Sequence, residues 1–298
     1  MMKRSLMLLG CSLLFSLSSA RAEITVHDDH GNTIVLKAPA KRVVSLAPHT
    51  TELLFAAGAG EHIVGTVTYS DYPAAAKSIP RVGDHHLIDI ERLISMKPDL
   101  LVVWLHGSSA RQLDALKRLG IPVFYSEPRK LADIPNTLEQ LGKATGTEQF
   151  AQQSGRQLRD GLAQLEKTYG NRPRVRVFYQ VWHRPLYTLG GVHIVSDAIR
   201  VCGGENIFQS LKVSAPTVSI ESVLLENPEV IVHAYRPDKP DKSLEPWRAY
   251  PTITAVERNN LFDIDADLIN RAGPRMIEGA ASLCAHMEEA RHRRENGR

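Results

Sequence analysis

A long one-sided helix is the strongest constraint that this sequence places on its fold. Between Glu148 and Tyr169 the larger apolar residues recur mostly at multiples of three or four, the period of an amphipathic helix. Thr147 is a suitable N-cap, and Gly170 followed by Pro173 is a strong stop signal. At about 1.5 Å per residue this stretch forms a rod of roughly 33 Å, the width of a small domain. The alternative is an ordinary surface helix.

Two similar segments flank this helix. Residues 91–103 and 221–233 each open with a glutamate, Glu91 or Glu221, at the start of a short helical pattern. In both segments a proline follows seven residues later, and then an acidic residue and a strand of the buried type. Matching units on both sides of one long helix predict two similar lobes joined by a rigid rod. Chance similarity between two helix–loop–strand units is the alternative.

The N-terminus carries the features of a secretory signal peptide. Lys3 and Arg4 precede an apolar run over residues 6–17, and small residues end the segment at Ala22. This pattern predicts export and cleavage after Ala22. The apolar run is too short to span a membrane. A lipoprotein is the alternative, because the residues before Cys11 resemble a lipobox.

The basic balance of the precursor belongs to this leader. The full chain of 298 residues has a formal charge of +3, but residues 1–22 contain three basic residues and no acidic one, so the mature chain is neutral. This balance gives no reason to expect nucleic acid as a partner. The mature length suits two domains of ordinary size, each able to bury its own core.

Two of the three cysteines, Cys202 and Cys284, lie beyond the leader. An even pair in an exported protein predicts a disulfide bond. Two buried free thiols are the alternative. Metal binding is disfavoured, because neither cysteine belongs to a C-x-x-C motif or has a histidine pair nearby.

Strand and helix patterns alternate in both halves of the mature chain. The near-continuous apolar run over residues 99–104 is typical of a parallel strand that is covered on both faces. The alternation predicts an α/β fold with two mostly parallel-sheet lobes. We expect a signal peptide, an N-terminal lobe, a connecting helix, a C-terminal lobe and a frayed tail, over residues 1–22, 23–146, 147–170, 171–290 and 291–298.

The sequence contains none of the common enzyme motifs, such as G-x-S-x-G, a Walker loop or H-E-x-x-H. His49 and His85 fall in strand-to-helix loops, where α/β sheets bind ligands, so a secreted metal-dependent enzyme is an alternative. Aromatic residues at strand ends or in loops of both halves predict a cleft for a large, flat, partly apolar molecule. They are Tyr69, Tyr72, Trp104, Trp182, Tyr187, Trp247 and Tyr250.

Four segments of the chain carry a family resemblance: residues 43–58, 69–73, 91–104 and 202–208. They resemble the periplasmic cobalamin-binding proteins of vitamin B12 ABC importers, and the resemblance spans nearly all of residues 41–290. The wider group includes receptors for haem and ferric siderophores, which are the alternative ligands. The resemblance implies a class III binding-protein fold with little hinge motion. It also implies that a corrinoid is held between the lobes as cargo, with no catalysis, no cofactor and no bound metal of the protein's own.

The resemblance further implies which residues contact the ligand. Tyr69, Trp104, Tyr187, Asp267 and Arg271 match cleft positions of the family. Three departures alter the pocket, because the family has aromatic residues near the positions of His85, Ala215 and Val181, the last of which lies beside Trp182. We therefore expect a ligand site that consists of Tyr69, His85, Trp104, Trp182, Tyr187, Asp267 and Arg271. The choice between cobalamin and cobinamide stays open.

Glu91 and Glu221 gain a role from the same resemblance. They open equivalent helices in the two lobes, and the two membrane permease subunits of an importer would present arginines to them, one to each lobe. The alternative is that both glutamates only interact favourably with the helix dipole. We expect a monomer that binds a corrinoid and docks on the permease, with no nucleic-acid partner.

Overall fold

Two parallel sheets, one on each side of a long helix, organise the fold. The computed structural model describes residues 23–84, 86–236 and 242–297. The predicted signal peptide, residues 1–22, and the candidate ligand residue His85 therefore lie outside the described residues. Within the described part of the chain, no helix is both long and apolar enough to cross a membrane.

The N-terminal lobe alternates strands and helices as predicted. Its strands are β1 (Ile24–His27), β2 (Thr33–Leu36), β3 (Val43–Ser45), β4 (Ile63–Gly65), β5 (Leu100–Trp104) and β6 (Val123–Ser126). Its helices are α1 (Pro48–Ala56), α2 (Ile90–Ser95), α3 (Ala110–Lys117) and α4 (Asp133–Thr145), with 3₁₀ turns at Gly60–His62 and Ala74–Ser78. An antiparallel hairpin of β1 and β2 precedes a parallel sheet with the order β4–β3–β5–β6. Alternate residues of β5 enter two different cores, so this strand is covered on both faces.

Helix α5 (Glu148–Tyr169) connects the lobes and has the bounds that its apolar period predicts. It packs closely on α4, since a Cβ atom added at Gly142 would lie only 2.2 Å from the Cβ atom of Ala151. Phe150 departs from the predicted apolar stripe, because it is 55% exposed. Its ring instead covers Gly58, the residue that ends the segment after α1.

The C-terminal lobe repeats the architecture of the first. Its strands are β7 (Val175–Gln180), β8 (Trp182–His183), β9 (Leu186–Tyr187), β10 (Gly204–Asn206), β11 (Val230–Tyr235) and β12 (Leu261–Asp265). Its helices are α6 (Ile194–Val201), α7 (Ile220–Glu226), α8 (Thr254–Glu257), α9 (Ala266–Ile269) and α10 (Met276–Asn296), with a 3₁₀ turn at Glu245–Ala249. The sheet is parallel with the order β10–β7–β11–β12, and β8 and β9 form a separate antiparallel hairpin.

Matching hydrogen bonds identify the two segments that flank α5 as structural repeats. In each repeat an arginine at the start of the neighbouring strand, β3 or β7, donates to a carbonyl oxygen at the end of the short helix, α2 or α7. Arg42 Nε donates to the oxygen of Met96 at 2.8 Å, and Arg176 Nη2 donates to the oxygen of Glu226 at 2.7 Å. The acidic residue after the repeat's proline accepts a hydrogen bond from the backbone N–H of the same arginine in both lobes. Chance similarity of the two segments is therefore excluded.

One hydrophobic core runs through both lobes. It includes strand residues of the N-terminal sheet such as Val102, strand residues of the C-terminal sheet such as Val232, and Leu162 of the connecting helix. Two further cores, one in each lobe, cover the other faces of the two sheets. The lobes and the helix between them are therefore packed together.

The C-terminal end of the chain corrects one prediction and confirms another. Cys202, which follows α6, forms the predicted disulfide bond with Cys284 in α10. The predicted frayed tail from Arg291 is wrong, because α10 continues to Asn296 and Arg291 is only 3% exposed. Its guanidinium donates to the carbonyl oxygens of Cys202 at 2.7 Å and Pro173 at 2.8 Å. A basic composition suggested a solvated tail, but these buried acceptors hold the helix against the lobe.

Candidate functional site

The carboxyl ends of the parallel strands lead into a cleft between the lobes, where α/β sheets bind ligands. A cavity of about 310 Å³ lies there and is lined by residues of both lobes. His49, Trp104 and Arg129 line it from the N-terminal lobe. His193 and Lys212 line it from the C-terminal lobe. The cavity falls within the size range of small-molecule sites.

Trp104 also lines a second cavity, of about 180 Å³, within the N-terminal lobe. Tyr69, Leu46 and Val67 are among the residues that line this second space, which is largely apolar. The Trp104 ring packs against the following turn, since a Cβ atom added at Gly107 would lie 1.9 Å from it. The glycine therefore lets the indole stand between the two cavities. Two predicted ligand residues, Tyr69 and Trp104, are brought together here.

His49 is a buried polar residue in the wall of this cavity. It is 5% exposed, and its ring meets the Trp104 ring edge-on, with the ring centres 5.6 Å apart. Burial lowers the pKa of His49 to about 4, with a smaller opposing effect from a hydrogen bond to the backbone of Ser126. The imidazole is therefore neutral at pH 7. Among the described residues, its Nε2 atom has no hydrogen-bond partner.

A network of ion pairs joins the lobes beside the cleft. Glu52 of α1 is 3% exposed and accepts hydrogen bonds from Arg271 at 3.0 Å and from Arg275 at 2.7 Å. Arg271 also donates to Asp71 and to Asp267, each at 2.9 Å. Burial alone would lower the pKa of Arg271, but the hydrogen bonds to Glu52 and Asp71 raise it overall, so the guanidinium stays charged.

Two of the predicted ligand residues, Asp267 and Arg271, are thus bonded to each other within a structural network. Sequence reasoning missed the roles of Glu52, Asp71 and Arg275 in it. The two arginines, four residues apart in the short segment before α10, were the only sign of this network in the sequence. Their acidic partners lie about 200 positions away in sequence, and no local pattern identifies partners at that separation.

Arginines of the C-terminal lobe also stack on the loop that contains two tyrosines of the N-terminal lobe. The guanidinium of Arg275 lies 3.8 Å from the ring centre of Tyr72, and that of Arg236 lies 5.2 Å from the ring centre of Tyr69. Both distances are within the range of cation–π attraction. Tyr69 has a φ of +67°, which is costly for a non-glycine residue. The contacts from the second lobe hold it in this conformation.

Trp182 and Tyr187 lie outside both cavities, on the hairpin of β8 and β9. They are direct partners across the hairpin, so their side chains share one face. The indole N–H of Trp182 donates to the carbonyl oxygen of Arg184 at 3.0 Å. Both rings are exposed on the C-terminal lobe and stay candidates for ligand contact. Trp247, expected in a loop, belongs instead to the lobe's core, where its indole N–H donates to Gln180 at 2.7 Å.

Glu91 and Glu221 occupy equivalent, exposed positions in the first turns of α2 and α7. Each follows a residue whose side chain caps the helix, Asp89 in one lobe and Ser219 in the other. Hydrogen bonds from its own backbone N–H and from Ser219 lower the pKa of Glu221. Both carboxylates therefore face solvent on matching surfaces of the repeat.

The histidines do not form a metal centre within the described residues. No group of three or more His, Cys, Asp or Glu residues there is arranged to hold a metal ion. His49 packs against an indole ring, and His106 Nδ1 lies 3.0 Å from a carboxylate oxygen of Glu127. The site is thus a cleft with an aromatic wall and charged residues at its edge.

Comparisons with known proteins agree with this architecture. The periplasmic binding protein family matches residues 43–268. A vitamin B12-binding protein of Vibrio parahaemolyticus is 34% identical over 256 residues, which are 86% of this chain and 92% of the relative. The crystal structure of the periplasmic vitamin B12 binding protein BtuF of Vibrio cholerae has a TM-score of 0.78 and 34% identity, and the match covers 85% of this chain and 98% of that one.

A more distant structure shares the fold alone. The periplasmic haem binding protein HutB of Vibrio cholerae has a TM-score of 0.71 and 22% identity, with 83% of this chain and 98% of that chain covered. The two lobes, the connecting helix α5 and the matched length together assign the chain. It belongs to the family of periplasmic binding proteins.

Proposed function

We propose that this protein captures cobalamin, or a closely related corrinoid, between its lobes in the periplasm and delivers it to an ABC importer. The observation that carries the proposal is the cleft, where Trp104 and Tyr69 offer aromatic surface beside a cavity that both lobes line. Flat, partly apolar rings bury well against such side chains. The names of the relatives that this chain resembles over most of its length support the same ligand.

The proposal includes the route to the periplasm and the residues of the site. The precursor would lose residues 1–22 by cleavage after Ala22 and would act as a monomer. We propose Tyr69, His85, Trp104, Trp182 and Tyr187 as ligand contacts. Asp267 and Arg271 would support the cleft through their ion pairs, while their remaining exposed atoms face the ligand.

A titration tests the proposed ligand. The mature protein is titrated calorimetrically with cyanocobalamin, dicyanocobinamide and haemin, and bound corrinoid is measured by visible absorption after gel filtration. We expect one cobalamin per chain. Binding of haemin alone, with no corrinoid retained, would replace the proposed cargo with haem, the ligand of the distant structural relative.

We further propose that Glu91 and Glu221 dock the loaded protein onto the two permease subunits. They stand at matching positions of a structural repeat, and both are exposed. Complementary charges at such a surface speed encounter and fix the orientation of the partners. The double variant Glu91→Arg, Glu221→Arg should therefore bind cobalamin as the wild type does but should not support uptake in vesicles that contain the importer.

Matched variants make this docking test specific. Each single reversal should give a partial defect, and raised salt should weaken docking of the wild type. Reversal of Glu257, which lies on the separate short helix α8, is the control and should leave uptake unchanged. Normal uptake by the double variant, or a loss of cobalamin affinity, would show that the glutamates do not dock the permease.

A further inference from the structure

The 310 Å³ cavity between the lobes has an excess of positive charge. Arg129 lines it from the N-terminal lobe and Lys212 from the C-terminal lobe. Among the described residues that line it, the only carboxylate is that of Glu127, which accepts a hydrogen bond from the backbone N–H of His106 and lies 3.0 Å from that residue's ring nitrogen. Within the described part of the chain, neither Arg129 nor Lys212 forms an ion pair. Two cations from opposite lobes therefore face one space without a carboxylate of their own.

The neighbouring arginine differs from this pair. Arg271 is bonded to Glu52, Asp71 and Asp267, so its charge is already balanced by carboxylates of the protein. A ligand's anionic group would gain little there, since it would also lie close to these three carboxylates. Among the described lining residues of the 310 Å³ cavity, Arg129 and Lys212 are the arginine and lysine that remain available to an anion.

A buried polar atom in the same cavity also points to a ligand. The residue His49 is only 5% exposed, and its Nε2 atom has no hydrogen-bond partner among the described residues. Buried nitrogen atoms are almost always satisfied, so an orphan beside a cavity marks a place for a missing partner. The cavity thus offers a neutral imidazole on its inner wall and two cations at its edge.

The two cavities that meet at Trp104 differ in character. The 180 Å³ space beside Tyr69 is lined mainly by apolar side chains, whereas the 310 Å³ space carries Arg129 and Lys212. A ligand that fits both spaces has a flat apolar ring system at one end and an anionic group at the other. Charge-assisted hydrogen bonds to that group are stronger than neutral ones and fix the ligand's direction in the cleft.

We infer that Arg129 and Lys212 form an anion subsite that spans the two lobes and binds the anionic group of the cargo. This inference rests on the proposed function, under which the anion is the phosphodiester of cobalamin's nucleotide loop. Cobinamide lacks that phosphodiester and keeps the corrin ring. The subsite therefore makes the protein selective for the complete cobalamin over its ring fragment. The propionates of haem would supply the same chemistry.

The test compares ligands with and without the anion. Wild type, Arg129→Gln, Lys212→Gln and the double variant are titrated with cyanocobalamin, dicyanocobinamide and haemin at low and high salt. We expect the double variant to bind cobalamin about tenfold more weakly, which corresponds to roughly 1.4 kcal/mol, while its affinity for cobinamide is unchanged. Salt should weaken cobalamin binding by the wild type and should have less effect on the double variant. Lys130→Gln, an exposed neighbour of Arg129, is the matched control and should behave as the wild type.

The outcomes separate the subsite from the proposed function. Equal cobalamin affinity in the wild type and the double variant overturns the subsite and leaves the corrinoid function intact. An equal loss of cobinamide affinity also overturns it, because cobinamide has no phosphodiester. If the wild type binds neither corrinoid, the proposed function fails, and the haemin titration then decides: weaker haemin binding by the double variant supports the anion subsite, and unchanged binding overturns it.

Discussion

Trp104, the last residue of strand β5, lines both cavities of the candidate site. Strand β5 is buried until its last residue, which reaches the cleft and lines both cavities. Its ring lies where Gly107 leaves room for it and meets the edge of His49. The position of this indole was predictable from the motif that ends the buried strand. Its contact with His49 was not, because that residue lies in the first turn of α1, which follows a different strand.

Removal of the indole should weaken ligand binding without unfolding the protein. We expect Trp104→Ala to reduce cobalamin affinity by about 5- to 150-fold, the equivalent of roughly 1–3 kcal/mol for one buried aromatic contact. Calorimetry measures the affinity, and thermal unfolding checks the fold. Phe150→Ala, which removes an exposed ring that lines neither cavity, is the control. Unchanged affinity in Trp104→Ala would contradict the proposed site.

His49 should make stability depend on pH. Burial lowers its pKa from the ordinary value of 6.5 to about 4. Between these two values the unfolded chain takes up a proton at this ring and the folded chain does not, so the free energy of unfolding falls as the pH drops through that window. From pH 7 to pH 4.5 the loss due to His49 is about 2 kcal/mol.

Urea unfolding at these two pH values tests this expectation. His49→Gln should lose less stability on acidification than the wild type by about that amount. His193, whose pKa burial also lowers to about 4, is present in both proteins and cancels in the comparison. His292→Gln changes an exposed ring on α10 and serves as the control. Equal pH dependence in the wild type and His49→Gln would show that the ring is protonated in the folded protein.

The elements differ in how much of them the sequence predicts. Helix α5 was predictable to its ends from its apolar period and its terminating glycine, although the side chain of Thr147 makes no capping hydrogen bond. The repeats around α2 and α7 were predictable because each carries the same order of glutamate, proline, acid and apolar strand. The last turns of α10 were not, because the burial of Arg291 depends on carbonyl oxygens of Cys202 and Pro173, about 90 and 120 positions earlier.

The disulfide bond between α10 and the end of α6 should stabilise the C-terminal lobe. It joins residues 82 positions apart, and a closed loop of that length corresponds to about 4–5 kcal/mol in the chain-entropy description. We expect Cys202→Ala, Cys284→Ala to lower the melting temperature markedly while it keeps the wild-type circular dichroism at low temperature. Reductant should lower the melting temperature of the wild type and have no effect on the variant. A variant as stable as the oxidised wild type would contradict this role.

At the scale of the whole molecule, the lobes are held by a shared core and by the ion pairs around Glu52. The carboxylate of Glu52 is almost fully buried between two arginines of the opposite lobe. The fold class and the two lobes were predictable from alternating strand and helix patterns. This arrangement of charges was not, since it joins α1 to the segment before α10 across the cleft.

Loss of this carboxylate should be costly because it leaves buried positive charge without compensation. We expect Glu52→Gln to lower the free energy of unfolding by roughly 3 kcal/mol or more, as measured by urea denaturation. Glu139→Gln removes a surface pair with Arg159, in which both side chains are partly exposed, and should cost about 1 kcal/mol or less. Small-angle scattering of Glu52→Gln would detect a change in the angle between the lobes. Equal losses in the two variants would contradict a special role for the inter-lobe pair.

The continuous core through both lobes has a consequence for unloading. Two lobes that share one apolar core do not separate spontaneously, because their separation would expose that core to water. Under the proposed function, the ligand leaves only when the importer binds both lobes and moves them apart. The importer then supplies the free energy for ligand release. The binding protein returns to its original conformation without an energy source of its own.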